Sequence, residues 1–252
     1  MNKALRTMYV VTALIVFASG AALGGSYTFQ DGAYHWLEYA TYDNVYVYNN
    51  FWDEPTTVEL VSGGRIGGYL YAYEDSRVII SGGTIGGHLR ASHDSNVTIS
   101  AGTIRLLLAY ENSNVIISGG TISGLNPGLS AYDTSNVTIS GGSIDGYLYA
   151  FSSSNVTLSG GTIGGDILIY GTLTVDGQDF LIDGRSFPYG GTFDSGGLAE
   201  RRGSLSCTLA NGDLMAKNFT IYKGGSLVLI PEPATLTLLM LGALAMLKNH
   251  RH

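Results

Sequence analysis

Six short glycine pairs punctuate the middle of this chain: Gly63-Gly64, Gly82-Gly83, Ala101-Gly102, Gly119-Gly120, Gly141-Gly142 and Gly160-Gly161. Successive pairs lie 19, 19, 18, 22 and 19 residues apart. A period that short is one coil of a solenoid, because a unit of this length can bury its apolar side only against the next copy.

Aligning the copies on the glycines reveals what each coil is made of. Ile66, Ile85, Ile104, Ile122, Ile144 and Ile163 share one position. Val78, Val97, Val115, Val137 and Val156 share a second, and two residues later Ile80, Ile99, Ile117, Ile139 and Leu158 share a third. Leu70, Leu89, Leu107, Leu129 and Leu148 form a fourth column, followed two residues on by Ala72, Ala91, Ala109, Ala131 and Ala150. A spacing of two is strand periodicity with one face buried. The polar columns fall between the strands: Ser76, Ser95, Ser113, Ser135 and Ser154, each followed by Asn or, in the first copy, Arg77. Stacked coils repeat every ~4.8 Å, close enough for equivalent Asn side chains to bond along the stack. Glycines supply the positive φ angles of tight corners. The expected fold is therefore all-β, a parallel β-helix with three short strands and three corners per coil of about 19 residues. Corners of varying length favour a right-handed coil over the strict six-residue steps of left-handed ones. Residues 37–48 repeat the coil spacing in weaker form, and residues 51–55 interrupt it as a candidate cap. Past Tyr170 the pattern loosens: residues 172–175, 205–209, 219–222 and 227–230 read as strands, and residues 184–203 as a long loop region. Such end coils shield open strand edges.

Both termini carry addresses. Lys3 and Arg6 precede an uncharged run from Met8 to Ala18 and the small residues Ser19-Gly20-Ala21-Ala22, the layout of a secretory signal peptide with cleavage after Gly20 or Ala22. At the other end stand Pro231-Glu232-Pro233, 14 uncharged residues from 234 to 247, and the basic tail Lys248-Asn249-His250-Arg251-His252. Prolines at 231 and 233 suit the start of a helix and not its interior. Fourteen helical residues span roughly 21 Å against a hydrocarbon core of ~30 Å, a marginal membrane span. Lys248 and Arg251 are placed to snorkel to headgroups and favour a cytoplasmic C-terminus.

This tail closely resembles the PEP-CTERM sorting signal of exported bacterial proteins, over residues 230–252 and most specifically in Pro231-Glu232-Pro233-Ala234-Thr235. The resemblance implies an exosortase partner that cuts near Pro231-Glu232-Pro233, passage through the general secretion machinery, transient anchoring in the membrane by the C-terminal helix, and an end point at the cell surface or in exopolysaccharide. The chain then divides into a signal peptide (1–22), an N-terminal cap or degenerate coil (23–57), β-helix repeats (58–175), irregular C-terminal β coils (176–230) and the sorting signal with its membrane helix (231–252).

Between residues 23 and 230 there are nine Lys/Arg against nineteen Asp/Glu, a net charge of −10. That excludes nucleic acid as the expected partner, which calls for clustered cations. Cys207 is the single cysteine, so no intramolecular disulfide forms, and it reads as a half-buried strand residue.

No catalytic constellation emerges. Beside the Leu column stand Tyr69 and Tyr71, His88 and Arg90, Leu106 and Leu108, Gly128 and Ser130, and Tyr147 and Tyr149. His88 and Arg90 are the sole titratable or charged pair there, against the carboxylate pairs that glycoside hydrolysis needs. Tyr69, Tyr71, Tyr147 and Tyr149 are a candidate glycan-stacking face. The acidic corner of Glu74, Asp75, Asp94, Glu111 and Asp133 lacks the Gly-Gly-x-Gly-x-Asp repeat of calcium-binding β-rolls and reads as turn chemistry. No cofactor or metal is expected. The expected function is a non-enzymatic exported surface or matrix protein. A β-helix carbohydrate-active enzyme, or an adhesin using the tyrosines, is the alternative.

Overall fold

The computed structural model describes residues 25–39, 41–49, 55–188 and 190–231. Among these the chain is all-β, with no helix, and winds into a β-solenoid of about eight turns with ~19 residues per turn. The expected signal peptide and the expected C-terminal membrane helix fall outside the described residues.

Three parallel faces make each turn. Face A stacks Tyr34–Leu37, Thr57–Leu60, Arg77–Ile80, Asn96–Ile99 and Asn114–Ile117, then continues through the strands that begin at Asn136, Asn155 and Thr172. Face B is two residues wide, from Thr41–Tyr42 and Arg65–Ile66 to residues 162–163. Face C runs from Ser26–Phe29 and Asn44–Val47 through Leu70–Ala72 to Ile167–Ile169. The aligned columns are the register itself: Val97 lies against Val78 and Val115, Ile104 against Ile85 and Ile122, Leu107 against Leu89 and Leu129.

Burial explains why the columns tolerate so little variety. Ile104, Leu107, Ala109 and Val115 are completely enclosed, as are their counterparts Ile66, Leu70 and Ala72. A side chain here meets the same residue type above and below, so one volume fits every turn. At ~25 cal/mol per Å² of apolar surface, burial of each Leu or Ile supplies roughly 1.5–3 kcal/mol, and stacking multiplies that by the number of turns. Residues 26–47, read from sequence as degenerate, provide strands to all three faces in register with the next turn.

Two kinds of corner close the coil. After face A, Gly83, Gly102, Gly120, Gly142 and Gly161 have φ between 71° and 88°. A Cβ on Gly142 would also come within 2.9 Å of the Gly119 backbone in the turn beneath, so conformation and close approach both demand glycine. The corner after face C is a β-turn closed by backbone bonds such as Ser113 N to Tyr110 O (3.1 Å) and Ser135 N to Tyr132 O (3.1 Å). Its serines are fully buried, and the Oγ atoms of Ser76, Ser95, Ser113 and Ser135 have no partner, whereas Ser154 Oγ donates to the Phe151 carbonyl (2.6 Å). Only one rung of the expected asparagine ladder forms, Asn155 Nδ2 to Asn136 Oδ1 at 3.3 Å; Asn96 and Asn136 donate to backbone carbonyls two residues back.

The C-terminal region ends the stack by reversing direction. Thr172–Ile182 leaves face A, and Glu200–Leu209 and Leu214–Tyr222 follow as an antiparallel hairpin that returns the chain to face C at Phe219. Ser226–Pro231 then completes face A. Thr192–Asp194 pairs antiparallel along the outer edge of that strand, and residues 200–203 along the edge of 219–222. Face B is closed by the hairpin tip, where Asp213 Oδ2 accepts from Gly161 N (2.8 Å) and from Asn211 Nδ2 (2.6 Å). Residues 184–203 are thus not the long loop that their sequence suggests: they hold Arg185–Ser186, Thr192–Asp194 and the start of Glu200–Leu209. Cys207 is more deeply buried than expected, at 6% exposure, and burial pushes its thiol up to about 12.

Candidate functional site: the aromatic side of face C

The outward residues of face C and of the corner beyond it carry a concentration of aromatic rings. Alternate residues point inward as Leu and Ala, which leaves the positions beside them on the outer side, partly exposed except at the buried Gly128 and Ser130. Tyr69 and Tyr71 flank Leu70, and Tyr147 and Tyr149 flank Leu148. Four turns separate the two pairs, roughly 19 Å at ~4.8 Å per turn, so they form two patches and not one.

Their rings are already engaged. Tyr69 stacks on His88 (centroids 4.7 Å apart, 18° between planes), and Tyr71 on Tyr46 (5.0 Å, 11°). Tyr147 and Tyr149 are tilted by 47° with centroids 6.2 Å apart, and the Tyr149 hydroxyl donates to Asn126 Oδ1 (3.1 Å). Stacking on a sugar needs an open ring face. Tyr69 and Tyr71 each have one face covered by a neighbouring turn.

A longer aromatic file, missed in the sequence reading, lies one residue beyond the Ala column. Tyr110, Tyr132, Phe151, Tyr170 and Tyr222 stack in succession at 4.5, 4.3, 5.4 and 4.0 Å, with planes within 10° of parallel. Tyr48 and Tyr73 continue it at the N-terminal end (4.9 Å, 11°). Ser92 breaks the file, and the guanidinium of Arg90 reaches into the break, 4.4 Å over the Tyr110 ring. Each stacked pair contributes about 0.5–1.5 kcal/mol beyond area burial. The signal was present in the sequence, because the residue after each Ala of the column is aromatic in all copies but one. Burial, reinforced by neighbouring phenols, raises the Tyr110 hydroxyl above its ordinary range. Tyr170 is pushed up to about 12, first by burial and then by its hydrogen bond to Tyr222.

The other candidates resolve into structure. Glu74, His93, Glu111 and Asp133 are the first central residues of the β-turns after face C and adopt φ of 53–58°. Glu111 Oε2 accepts from both the backbone N and the Nδ1 of His93 at 3.0 Å. Among the described residues no three His, Cys, Asp or Glu side chains converge as metal ligands would. His88 and Arg90 are parted by their rings, His88 against Tyr69 and Arg90 over Tyr110. Of the sorting motif only Pro231 is described, as the last residue of the final strand; Glu232, Pro233, Lys248 and Arg251 lie outside. No family model matches this chain, and no curated protein or solved structure was found to be similar to it.

Proposed function

We propose that this protein is an exported, non-enzymatic β-solenoid of the cell surface or extracellular matrix, delivered by its N-terminal signal and processed by an exosortase at its C-terminal PEP-CTERM signal. The coil is right-handed in this proposal, and the C-terminal helix holds the body at the membrane until it is cut. The observation that carries it is the position of Pro231: the last described strand ends at the first residue of the sorting motif. Cleavage next to Pro231-Glu232-Pro233 therefore removes none of the described strands, and the body survives its own processing. Eight turns in continuous register give a stiff rod suited to spacing or display, and a net charge of −10 keeps it soluble outside the cell. Exopolysaccharide is the partner proposed at the end point.

The test is replacement of Pro231, Glu232 and Pro233 by alanine in cells that carry an exosortase. The expected result is accumulation of the variant in the membrane fraction while the unaltered protein leaves it. Identical distributions of the two would overturn the sorting proposal.

A further inference from the structure

The stack departs most from its repeat at one corner. The spacing of 22 residues between Gly119-Gly120 and Gly141-Gly142 places extra chain between faces B and C, where the other turns cross in two or three residues. The bulge at residues 123–127 is held between its neighbouring turns, by Ser123 N to Ile104 O (2.8 Å) and Tyr147 N to Leu125 O (3.3 Å), and lines an open pocket of about 690 Å³ with His88, Arg105 and Leu106 of the preceding turns. That volume lies in the range of small-molecule sites, and a loop held on a rigid scaffold is a common place to find one.

The lining is chemically mixed in a specific way. Arg105 is exposed and makes no ion pair among the described residues, on a body of net charge −10. His88 lies close enough to feel its charge: burial lowers the imidazole's pKa and Arg105 lowers it further, so His88 is a neutral donor and acceptor at pH 7. Asn126 presents an amide, and its Oδ1 is fixed by the Tyr149 hydroxyl at 3.1 Å, which steadies the bulge from the next turn. Leu125 is 72% exposed, an uncommon position for a leucine in an otherwise well-packed repeat, and with Leu106 it supplies an apolar surface. Gly128 occupies the position between Leu106 and Tyr147 on the outer side of face C and carries no side chain.

A cation, a neutral imidazole, an anchored amide and two leucines match a ligand that has one anionic group, several hydroxyls and a small apolar face. We propose that this pocket binds a carboxylated saccharide, with Arg105 taking the carboxylate, His88 and Asn126 the hydroxyls, and Leu106 and Leu125 the C–H face of the sugar ring. Bidentate recognition of carboxylate is what a guanidinium does best. Tyr149 is a positioning residue for the bulge. The assignment rests on the surface-display proposal for the source of its ligand, an acidic exopolysaccharide, and on nothing in the sorting step.

Titration calorimetry of the purified protein with β-1,4-linked tetraglucuronate tests it, with cellotetraose as the control that replaces each carboxylate by a hydroxymethyl group. Tetraglucuronate is expected to bind at least tenfold more tightly than cellotetraose, and Arg105→Gln to weaken it tenfold or more without unfolding the exposed corner. Asn126→Ala is expected to weaken both ligands alike. Arg90→Gln, on the same face but outside the pocket, is expected to leave binding unchanged. Absence of tetraglucuronate binding at millimolar concentration, equal affinity for the two sugars, or an unaffected Arg105→Gln variant would overturn the proposal. A chain that is sorted normally but binds neither sugar would sink this site and leave the surface-display proposal standing.

Discussion

The regular turns and the C-terminal cap use the same strand chemistry in opposite ways. Between residues 77 and 175 every strand pairs in parallel with the equivalent strand of its neighbours, and aliphatic columns fill the interior. After residue 176 the pairing is mixed: residues 219–221 and 226–231 still stack in parallel on the turn before them, while residues 177–182, 192–194 and 200–209 pair antiparallel, and Phe180, Phe187, Phe193 and Phe219 gather where the columns end, Phe193 meeting Phe187 and Phe219 edge to face at 5.7 Å. A parallel turn always presents a free edge to the next copy, which is how a solenoid grows and also how it aggregates. Antiparallel strands laid along the last turn satisfy that edge with a different pattern and stop the growth. The repeat thus specifies extension and the cap specifies length. At the N-terminal end Ser26–Phe29, Tyr34–Leu37 and Thr41–Tyr42 are paired on one side only among the described strands.

Truncation of a column residue is the strongest way to break this contrast. Ile104→Ala, in a fully buried position, is expected to cost about 2–5 kcal/mol. Leu214→Ala at the cap's hairpin, 83% exposed, should change stability by less than ~0.5 kcal/mol. Urea denaturation of the two variants checks both values. An Ile104→Ala cost no larger than that of Leu214→Ala would mean that the columns do not hold the stack.

Alkaline titration sharpens the junction between the regions, where Tyr170 of the last regular turn stacks on Tyr222 of the cap at 4.0 Å. An unfolded tyrosine releases its proton near 10, and folded Tyr170 holds it to about 12. Its contribution is therefore complete below pH 10 and is lost as the pH rises through about 12. Thermal melts of the unaltered protein should fall through this window, and Tyr170→Phe should flatten part of the fall. An unchanged slope in the variant would remove Tyr170 from the account.

A small effect of opposite sign belongs to the corners. Asp133 sits at φ 53° with no hydrogen bond or ion pair from its side chain among the described residues, a strain of roughly 1–2 kcal/mol for a residue other than glycine. Glycine there gives back ~0.5–1 kcal/mol as backbone entropy. Asp133→Gly is expected to stabilise by about 0.5 kcal/mol, measured as a small rise in the urea midpoint; a clear loss would show that the carboxylate matters.

The regular turns were legible in the sequence because each residue meets its own equivalent above and below. One constraint is written out five or six times, as in the Ile66 to Ile163 column. The cap was less legible because each of its strands has a unique partner: nothing repeats to mark Thr192–Asp194 as the cover of Ser226–Pro231. The stacked file from Tyr110 to Tyr222 was written as plainly as the Leu column but sits at the corner, one step outside the alternation used to find the strands. The bulge pocket was not legible, since the contact of Asn126 with Tyr149 depends on the path of a loop and on no periodicity.

The central functional claim concerns what becomes of the two ends of the chain. Intact-mass spectrometry of the protein recovered from the surface and medium of its own cells reads both at once. The account predicts a product that begins at Ala21 or Leu23 and ends within a few residues of Pro231. Recovery of a chain that still extends to His252 in cells with a working exosortase would contradict it.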